Sequence, residues 1–403
     1  MIRVGLFFGG NSVEHEISII TALQAAEYID KEKYQIVPVY ITKDNRFFTG
    51  EEMGKIDNYK DIPAALKKGT QVLFAKGERG AVDLIRHPAK KFGNNTVATI
   101  DVALPAVHGT NCEDGTLQGF LTLLDIPYVG CDVYASALGM DKYAMKAVLA
   151  YNDIPVLEGK LCHAHDYEKD AEGLMTLLEE KIGYPMIAKP VNLGSSIGIS
   201  KAKDRKELKK ALENAFLYAR DVLCEHAIMN LKEINCAVLG DREEAIASEC
   251  EEPVAADEIL SYEDKYIGGG KGAKNAGSKG SGMASLKRKI PAEITKEQRD
   301  EVRSLAVSAF KALGCAGVSR IDFMLDQDNG KIYLNEINTI PGSLSFYLWQ
   351  PLGMSYKELL DRMITLAVKR HRQSKAVTHS FKTNVLAGVK LGGGTKGAKG
   401  AKG

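Results

Sequence analysis

The beginning of this chain constrains its fold more than any other stretch. Residues Arg3–Phe8 form a short apolar run that stops at Gly9-Gly10. Ser18–Tyr28 then carries apolar residues at three- and four-residue spacing, and Gln35–Ile41 is strand-like again. Strand, helix and strand in that order place two strands parallel in one sheet, because a parallel pair needs a crossover connection. The chain therefore opens with an α/β unit. The first run leads into Glu14, His15 and Glu16 with no small-residue cleavage pattern, so it reads as a buried strand and not as a leader. No window approaches the roughly 18 consecutive apolar residues of a membrane-spanning helix. A cytoplasmic protein with no membrane partner is expected.

The pattern continues beyond this unit. Val102–Val107 ends at His108-Gly109, a strand end of the kind where ligands collect in such sheets. The first domain is expected to close near residue 104. Ala135–Tyr151 is helical in pattern, and a strand near Pro155–Leu161, a helix over Asp170–Ile182 and a strand over Pro185–Lys189 follow, which reads as a small separate lobe. Further strands fall near Val222–Glu225, Glu233–Leu239, Ser319–Leu325 and Lys331–Ile337. The expected division is 1–104, 105–187 and 188–372, with an extension over 373–403. Two segments leave the pattern: residues 268–289 are rich in Gly, Lys, Ala and Ser without an acid, and 392–403 repeat Lys-Gly-Ala. Neither buries enough apolar surface to fold alone; the first reads as a mobile loop inside 262–290 and the second as a disordered end.

Charge narrows the function. With 53 Lys+Arg against 52 Asp+Glu the formal charge is +1, which supplies no drive towards nucleic acid or an anionic surface. Small-molecule chemistry is the better expectation. The seven cysteines are scattered and contain no CxxC pair, so reduced, buried thiols are expected in place of a disulfide framework or a zinc site.

Chemistry concentrates late in the chain. Arg320-Ile321-Asp322 is followed fourteen residues on by Glu336-Ile337-Asn338, each on an expected strand where alternate side chains share a face. Asp322, Glu336 and Asn338 are hard oxygen donors suited to Mg²⁺ beside nucleotide phosphates, with Arg320 placed to neutralise developing charge. Strand acids also commonly just face solvent, and spacing leaves both readings open. Gly194-Ser195-Ser196-Ile197-Gly198 offers N–H groups and hydroxyls to an anion, with Lys189 five residues earlier; standing alone, such a turn is more often a plain hairpin. Lys265-Tyr266 precedes the basic loop, which could fold over phosphate or remain a solvated linker. In His108-Gly109-Thr110-Asn111-Cys112-Glu113-Asp114-Gly115, the two acids read as complements to the dipole of a helix over Thr116–Leu124. Cys112 has no assignable partner for a nucleophilic pair. The chain lacks GxxxxGK[ST] and a dinucleotide fingerprint.

Together, GGNSVEHEIS at 9–18, HGTNCEDGTLQG at 108–119, PYVG at 127–130, MDK at 140–142, AKPVNLGSSIGISK at 188–201, EDKY at 263–266, GCAGVSRIDF and LNEINTIPG to Gly342 resemble the D-alanine–D-alanine ligase family over residues 1 to about 370. The resemblance implies an α/β, three-domain ATP-grasp fold with an N-terminal Rossmann-like parallel-sheet domain. It implies ATP-dependent ligation of two D-alanines through an acylphosphate, for peptidoglycan precursors, with a pair of Mg²⁺ ions that Mn²⁺ can replace, and a homodimer. By matching position, Glu14 resembles the anchor of the first substrate's ammonium, in a network with Ser195 and Tyr266. His108 and Arg320 resemble the groups around the reacting carboxylate and oxyanion. Lys142, Lys189 and Lys265 resemble phosphate ligands, with Ser196 in the same cradle; Glu225 and Glu233 resemble adenine and ribose contacts, and Asp322, Glu336 and Asn338 the metal ligands.

The chain departs from the family where the acceptor would sit. Its Gly342-Ser343-Leu344-Ser345-Phe346-Tyr347-Leu348-Trp349 is shortened, leaving Gly342, Ser343 and Ser345 as candidate acceptor contacts. Cys112 replaces a usual glycine, and His226 stands where longer polar residues are common. Tyr266 favours an amine acceptor, so D-serine stands ahead of D-lactate as an alternative to D-alanine, beside ligation of another amino-acid pair. A silent nucleotide-binding protein would be expected to have lost a metal ligand or Arg320, and this chain keeps all of them.

Overall fold

The computed structural model describes residues 1–194, 196–254 and 288–380, together with 383, 384 and 386. The opening unit is β1 (Ile2–Gly9), α1 (His15–Tyr28) and β2 (Tyr34–Ile41), followed by β3 (Phe47–Thr49), α2 (Ile62–Lys68), β4 (Thr70–Lys76), β5 (Val82–Arg86), β6 (Thr96–Ile100) and β7 (Val102–Pro105). These strands form one sheet in the order β6-β5-β4-β3-β2-β1-β7. β1 runs parallel to both β2 and β7, consistent with its apolar run, and β3 to β6 extend the sheet antiparallel. At the end of β1 the chain turns with Gly9 at φ +95°, where a Cβ would lie 2.2 Å from the Ile41 carbonyl oxygen. Ser18 of α1 fixes that turn, accepting from the Gly9 N–H at 2.8 Å and donating to the Ala106 carbonyl at 2.7 Å.

α3 (Thr116–Leu123) is followed by α4 (Val133–Met140) and α5 (Lys142–Tyr151). The single helical pattern expected over 135–151 is thus two helices. Asp141 separates them because its carboxylate caps α5, accepting from the Tyr143 and Ala144 N–H groups at 3.0 and 2.9 Å. β8 (Gly159–His163), α6 (Ala164–Lys169), α7 (Ala171–Lys181), β9 (Met186–Pro190), β10 (Ser200–Ala202), α8 (Arg205–Phe216) and β11 (Asp221–His226) build a second, antiparallel sheet ordered β10-β9-β11-β8. β12 (Leu231–Gly240), β13 (Ala245–Pro253), β14 (Arg288–Lys289), α9 (Lys296–Ala312), β15 (Gly317–Asp326), β16 (Ile332–Asn338) and α10 (Tyr356–Lys375) contribute a third, ordered β14-β13-β12-β15-β16.

A strand spans each of the two expected boundaries. A division at 187/188 would cut β9, and pairing of β9 with β10 and β11 keeps the chain through His226 in the second sheet. A division at 104 would cut β7; beyond it, Leu117, Leu121, Ile126 and Tyr128 join the core of Phe7, Val37 and Ile100, and Tyr128 bridges Ala103. Local hydrophobic pattern finds strands, whereas non-local pairing decides which sheet they join. The expected loop 262–290 lies outside the described residues up to 287, and its last part, Arg288–Lys289, is paired with β13. No helix among the described residues is long and apolar enough to cross a membrane. All seven cysteines are buried and free, as their spacing indicated.

The first and third sheets share one interior. Leu6, Phe8 and Ile19 pack with Ala237, Leu239, Val318 and the α10 residues Leu359, Leu360 and Met363. Asp125 ties the edges of this junction, accepting from Lys76 at 2.6 Å and Lys375 at 2.5 Å with His371 Nε2 at 3.3 Å. These partners, Lys375 first, hold its carboxyl well below the ordinary aspartate value. A depressed folded-state pKa contributes stability that is present above the unfolded value and lost as pH falls. Asp125→Asn should therefore cost about 1 kcal/mol at neutral pH, the modest size reflecting partial exposure. In urea titrations the gap from the wild type should close as pH falls below the ordinary 3.8; a gap that persists there would remove the ion-pair explanation.

Candidate active site

β15 and β16 pair so that Arg320 lies opposite Asn338 and Asp322 opposite Glu336, which places the four side chains together. Arg320 donates from Nε and Nη2 to the two Asp322 oxygens, each at 2.7 Å, and Asn338 donates to Asp322 Oδ2 at 2.9 Å. Glu336 Oε2 lies 3.2 Å from Lys142 Nζ, which donates to the Leu193 carbonyl at 2.8 Å. Burial works against the Arg320 charge, yet Asp322's charge and hydrogen bonds overcome it and raise its pKa above the ordinary value. The convergence read from spacing is present. Its donors, two carboxylates and an amide, are hard oxygens that fit Mg²⁺, and resident cations balance their charge.

Two cavities meet at this strand pair. One is lined by Glu14, His108, Glu113, Lys142, Arg320 and Gly342; the other by Lys189, Ser196, Glu225, Glu233, Asp322 and Phe323. Glu336 and Leu193 border both. Glu336 therefore stands between the two spaces, with Lys142 and Arg320 on the side of the first and Lys189 on the side of the second. Ser195, Lys265 and Tyr266 lie outside the described residues.

The first cavity is held by a chain of hydrogen bonds that sequence reading missed in part. His108 is buried; its Nδ1 lies 2.8 Å from the Ile340 carbonyl and its Nε2 2.8 Å from Thr21 Oγ1. Ser343 N–H donates to the same Thr21 oxygen at 3.1 Å. A carbonyl can only accept, so Nδ1 carries a proton, and in the neutral ring Thr21 donates to Nε2. Burial lowers the His108 pKa, with Glu14's charge opposing, which agrees with that assignment. Thr21 was recognisable in principle, seven residues after Glu14 and so on the same face of α1.

Glu113 corrects an expectation. It does not serve the helix dipole: one oxygen accepts from the Gly109 N–H and the other from the Ile340 N–H, both at 2.9 Å. Burial, and then Glu14's charge, raise its pKa. Asp114 does take the expected part, accepting from the Thr116 N–H at 3.0 Å. Burial, with the charges of Asp114 and Glu113, also pushes the Cys112 thiol up, which disfavours the thiolate. Gly109 stands at φ +79°, where a Cβ would lie 2.8 Å from a Glu14 carboxylate oxygen, so the Glu14 side chain packs directly on its backbone.

The turn Gly342–Leu348 follows. Gly342 lines the first cavity, whereas Ser343 and Ser345 are buried and do not line it. Ser343, Leu344 and Ser345 all adopt left-handed backbone, with φ between 50° and 52°. Such conformations cost L-residues roughly 1–2 kcal/mol each. They persist because Thr21, His108 and Glu113 grip the segment on its N-terminal side.

In the second cavity Glu225 is 2% exposed and engaged by two lysines. Lys189 donates to Oε2 at 2.5 Å and to Asn335 Oδ1 at 3.1 Å, and Lys146 bonds Oε1. Burial would raise the Glu225 pKa, but the charges of Lys189 and Lys146 outweigh it and hold the carboxyl below its ordinary value. Burial pushes Lys146 down to about 8. Lys146 was not among the expected residues, although its place four residues after Lys142 puts both on one face of α5.

Comparison with known proteins accords with this geometry. The family model described as D-ala D-ala ligase N-terminus matches residues 3–131, and that described as D-ala D-ala ligase C-terminus matches 148–365. The D-alanine–D-alanine ligase of Thermosipho melanesiensis is 39% identical over 97% of this chain and all of that protein. That of Geobacillus kaustophilus is 37% identical over 94% of this chain and 98% of its own length. Among solved structures, the Coxiella burnetii D-alanine–D-alanine ligase superposes with a TM-score of 0.75 at 29% identity, covering 93% of this chain and 98% of its own. The Enterococcus faecalis VanG D-Ala:D-Ser ligase gives 0.73 at 30%, covering 91% and 99%. With both family models matched and the fold shared, the chain belongs to the D-alanine–D-alanine ligase family, whose members are ATP-dependent carboxylate–amine ligases of the ATP-grasp fold.

Proposed function

We propose that this chain joins two D-alanine molecules into D-alanyl-D-alanine at the expense of ATP, supplying peptidoglycan precursors in the cytoplasm. The observation that carries the reading is the pair of cavities bordered jointly by Glu336, with Arg320 and Lys142 on one side and Lys189, Glu225 and Glu233 on the other. A carboxylate does not condense with an amine at a useful rate. Its oxygen first attacks the γ-phosphorus, ADP leaves, and the resulting acylphosphate carries a good leaving group. The second amine, having lost a proton, then attacks the carbonyl carbon, and the C–O bond to phosphate breaks.

In this reading Glu14 holds the first ammonium, in a network with Ser195 and Tyr266. Arg320 faces the developing oxyanion, and neutral His108 orients the segment that carries Gly342. Lys142, Lys189 and Lys265 take phosphate oxygens with Ser196, and Glu225 and Glu233 the adenine and ribose. Asp322, Glu336 and Asn338 would hold a pair of Mg²⁺ ions, replaceable by Mn²⁺, which would neutralise phosphate charge. The three-domain division and a homodimer belong to the same proposal.

The test is phosphate release from ATP and Mg²⁺ with D-alanine, D-serine and D-lactate offered singly and in pairs, with products identified by mass. Release with D-alanine alone, together with its dipeptide, is the expected result. Release that requires a different second substrate would keep the reaction and move the acceptor, and no release with any pair would overturn the reading.

A further inference from the structure

Lys146 is a buried charge that the reaction above does not use. It is 5% exposed and lines neither cavity, yet it holds one oxygen of Glu225 while Lys189 holds the other. Of the two ammonium groups sharing this carboxylate, only Lys189 borders the second cavity. The charged groups facing Lys146 are Glu225 from β11, Lys189 from β9 and Lys142 one turn back on α5. Two cations around one buried carboxylate leave one positive charge in surplus beside an open space.

We propose that Lys146 is a positioning residue for the nucleotide: it is the standing counter-ion of Glu225 and thereby frees Lys189 to leave that carboxylate for an entering phosphate. This rests on the nucleotide reading of the second cavity given above. If Lys189 were the sole partner of Glu225, its move to phosphate would strand a charge that is 2% exposed. Removing one partner of a buried ion pair is strongly unfavourable, because the remaining charge has no water to turn to. With Lys146 in place Glu225 keeps a counter-ion before and after the move, first as Lys146–Glu225–Lys189, then as Lys146–Glu225 with Lys189 on phosphate. Lys146 itself never touches the ligand.

The experiment compares ADP with adenosine on the full chain by isothermal titration calorimetry, for wild type, Lys146→Met and Lys146→Arg, with thermal melting as the check of folding. Lys146→Met is expected to weaken ADP by roughly 30-fold or more, as loss of one member of a buried charge pair does. Adenosine should lose far less, because it asks nothing of Lys189, which stays with Glu225. Lys146→Arg should restore most of the ADP affinity. As pH rises through the titration of a buried lysine, wild-type ADP affinity should fall while that of the arginine variant stays level, since guanidinium keeps its proton. Equal losses for ADP and adenosine in the methionine variant would show a merely structural role and overturn the proposal, as would an unchanged ADP affinity. Should the methionine variant not fold, matching pH profiles for wild type and the arginine variant would still overturn it. A wild-type protein that binds neither compound overturns the nucleotide reading itself, which separates the two failures.

Discussion

Arg320→Met is expected to lower turnover by roughly 10²–10³-fold, the cost of losing one preorganised charge at a developing oxyanion. The side chain is 8% exposed and its guanidinium is fixed by two hydrogen bonds to Asp322. It therefore pays no reorganisation as charge develops, and water cannot replace it. Methionine keeps the apolar stem of the residue and leaves no unpaired charge in its place, so the third sheet should remain folded. The variant also leaves Asp322 with Asn338 in place of a bidentate cation, which disturbs a carboxylate assigned to the metal. Arg320→Lys separates the two effects: it restores the charge without the planar fork and should recover only part of the rate. The measurement is single-turnover phosphate release at saturating ATP and D-alanine, with circular dichroism as the folding control. Turnover within a few-fold of wild type in the methionine variant would remove Arg320 from the reaction.

Trp349→Ala should destabilise the protein by about 3–5 kcal/mol, the range for deleting a large aromatic from a packed interior. Trp349 is fully buried in the interior shared by β1, α1, the third sheet and α10. No single sheet could close over the cavity left by its loss, because the surrounding walls come from distant parts of the chain and are fixed by their own pairing. Trp349→Phe should cost well under half as much. It retains most of the apolar volume, and the indole N–H finds no hydrogen-bond partner among the described residues, so removing it sacrifices no bond. Urea unfolding of both variants, followed by far-ultraviolet circular dichroism, gives the comparison. A loss below about 1 kcal/mol for the alanine variant would mean that the junction relaxes freely, which a close-packed interior should not do.

The sequence by itself determined the element types and the chemistry at the ends of strands. Alternating side chains on two strands sufficed to bring Arg320, Asp322, Glu336 and Asn338 together, because strand periodicity is local and their pairing as neighbours is short-range. The opening β1–α1–β2 unit was legible for the same reason. Three things were decided only by the tertiary structure. Sheet membership drew β10 and β11 away from the expected C-terminal lobe to pair beside β9, since backbone pairing partners are chosen across long separations. Glu113 was read as a helix-end acid, and it became a brace only when Ile340, 227 residues later, presented its N–H to it. Lys146 looked like one more helical lysine until Glu225 of β11 met it in the interior. A side chain's type and its face on an element are written locally, but its charge state and its work depend on which groups the fold brings against it after water has been excluded.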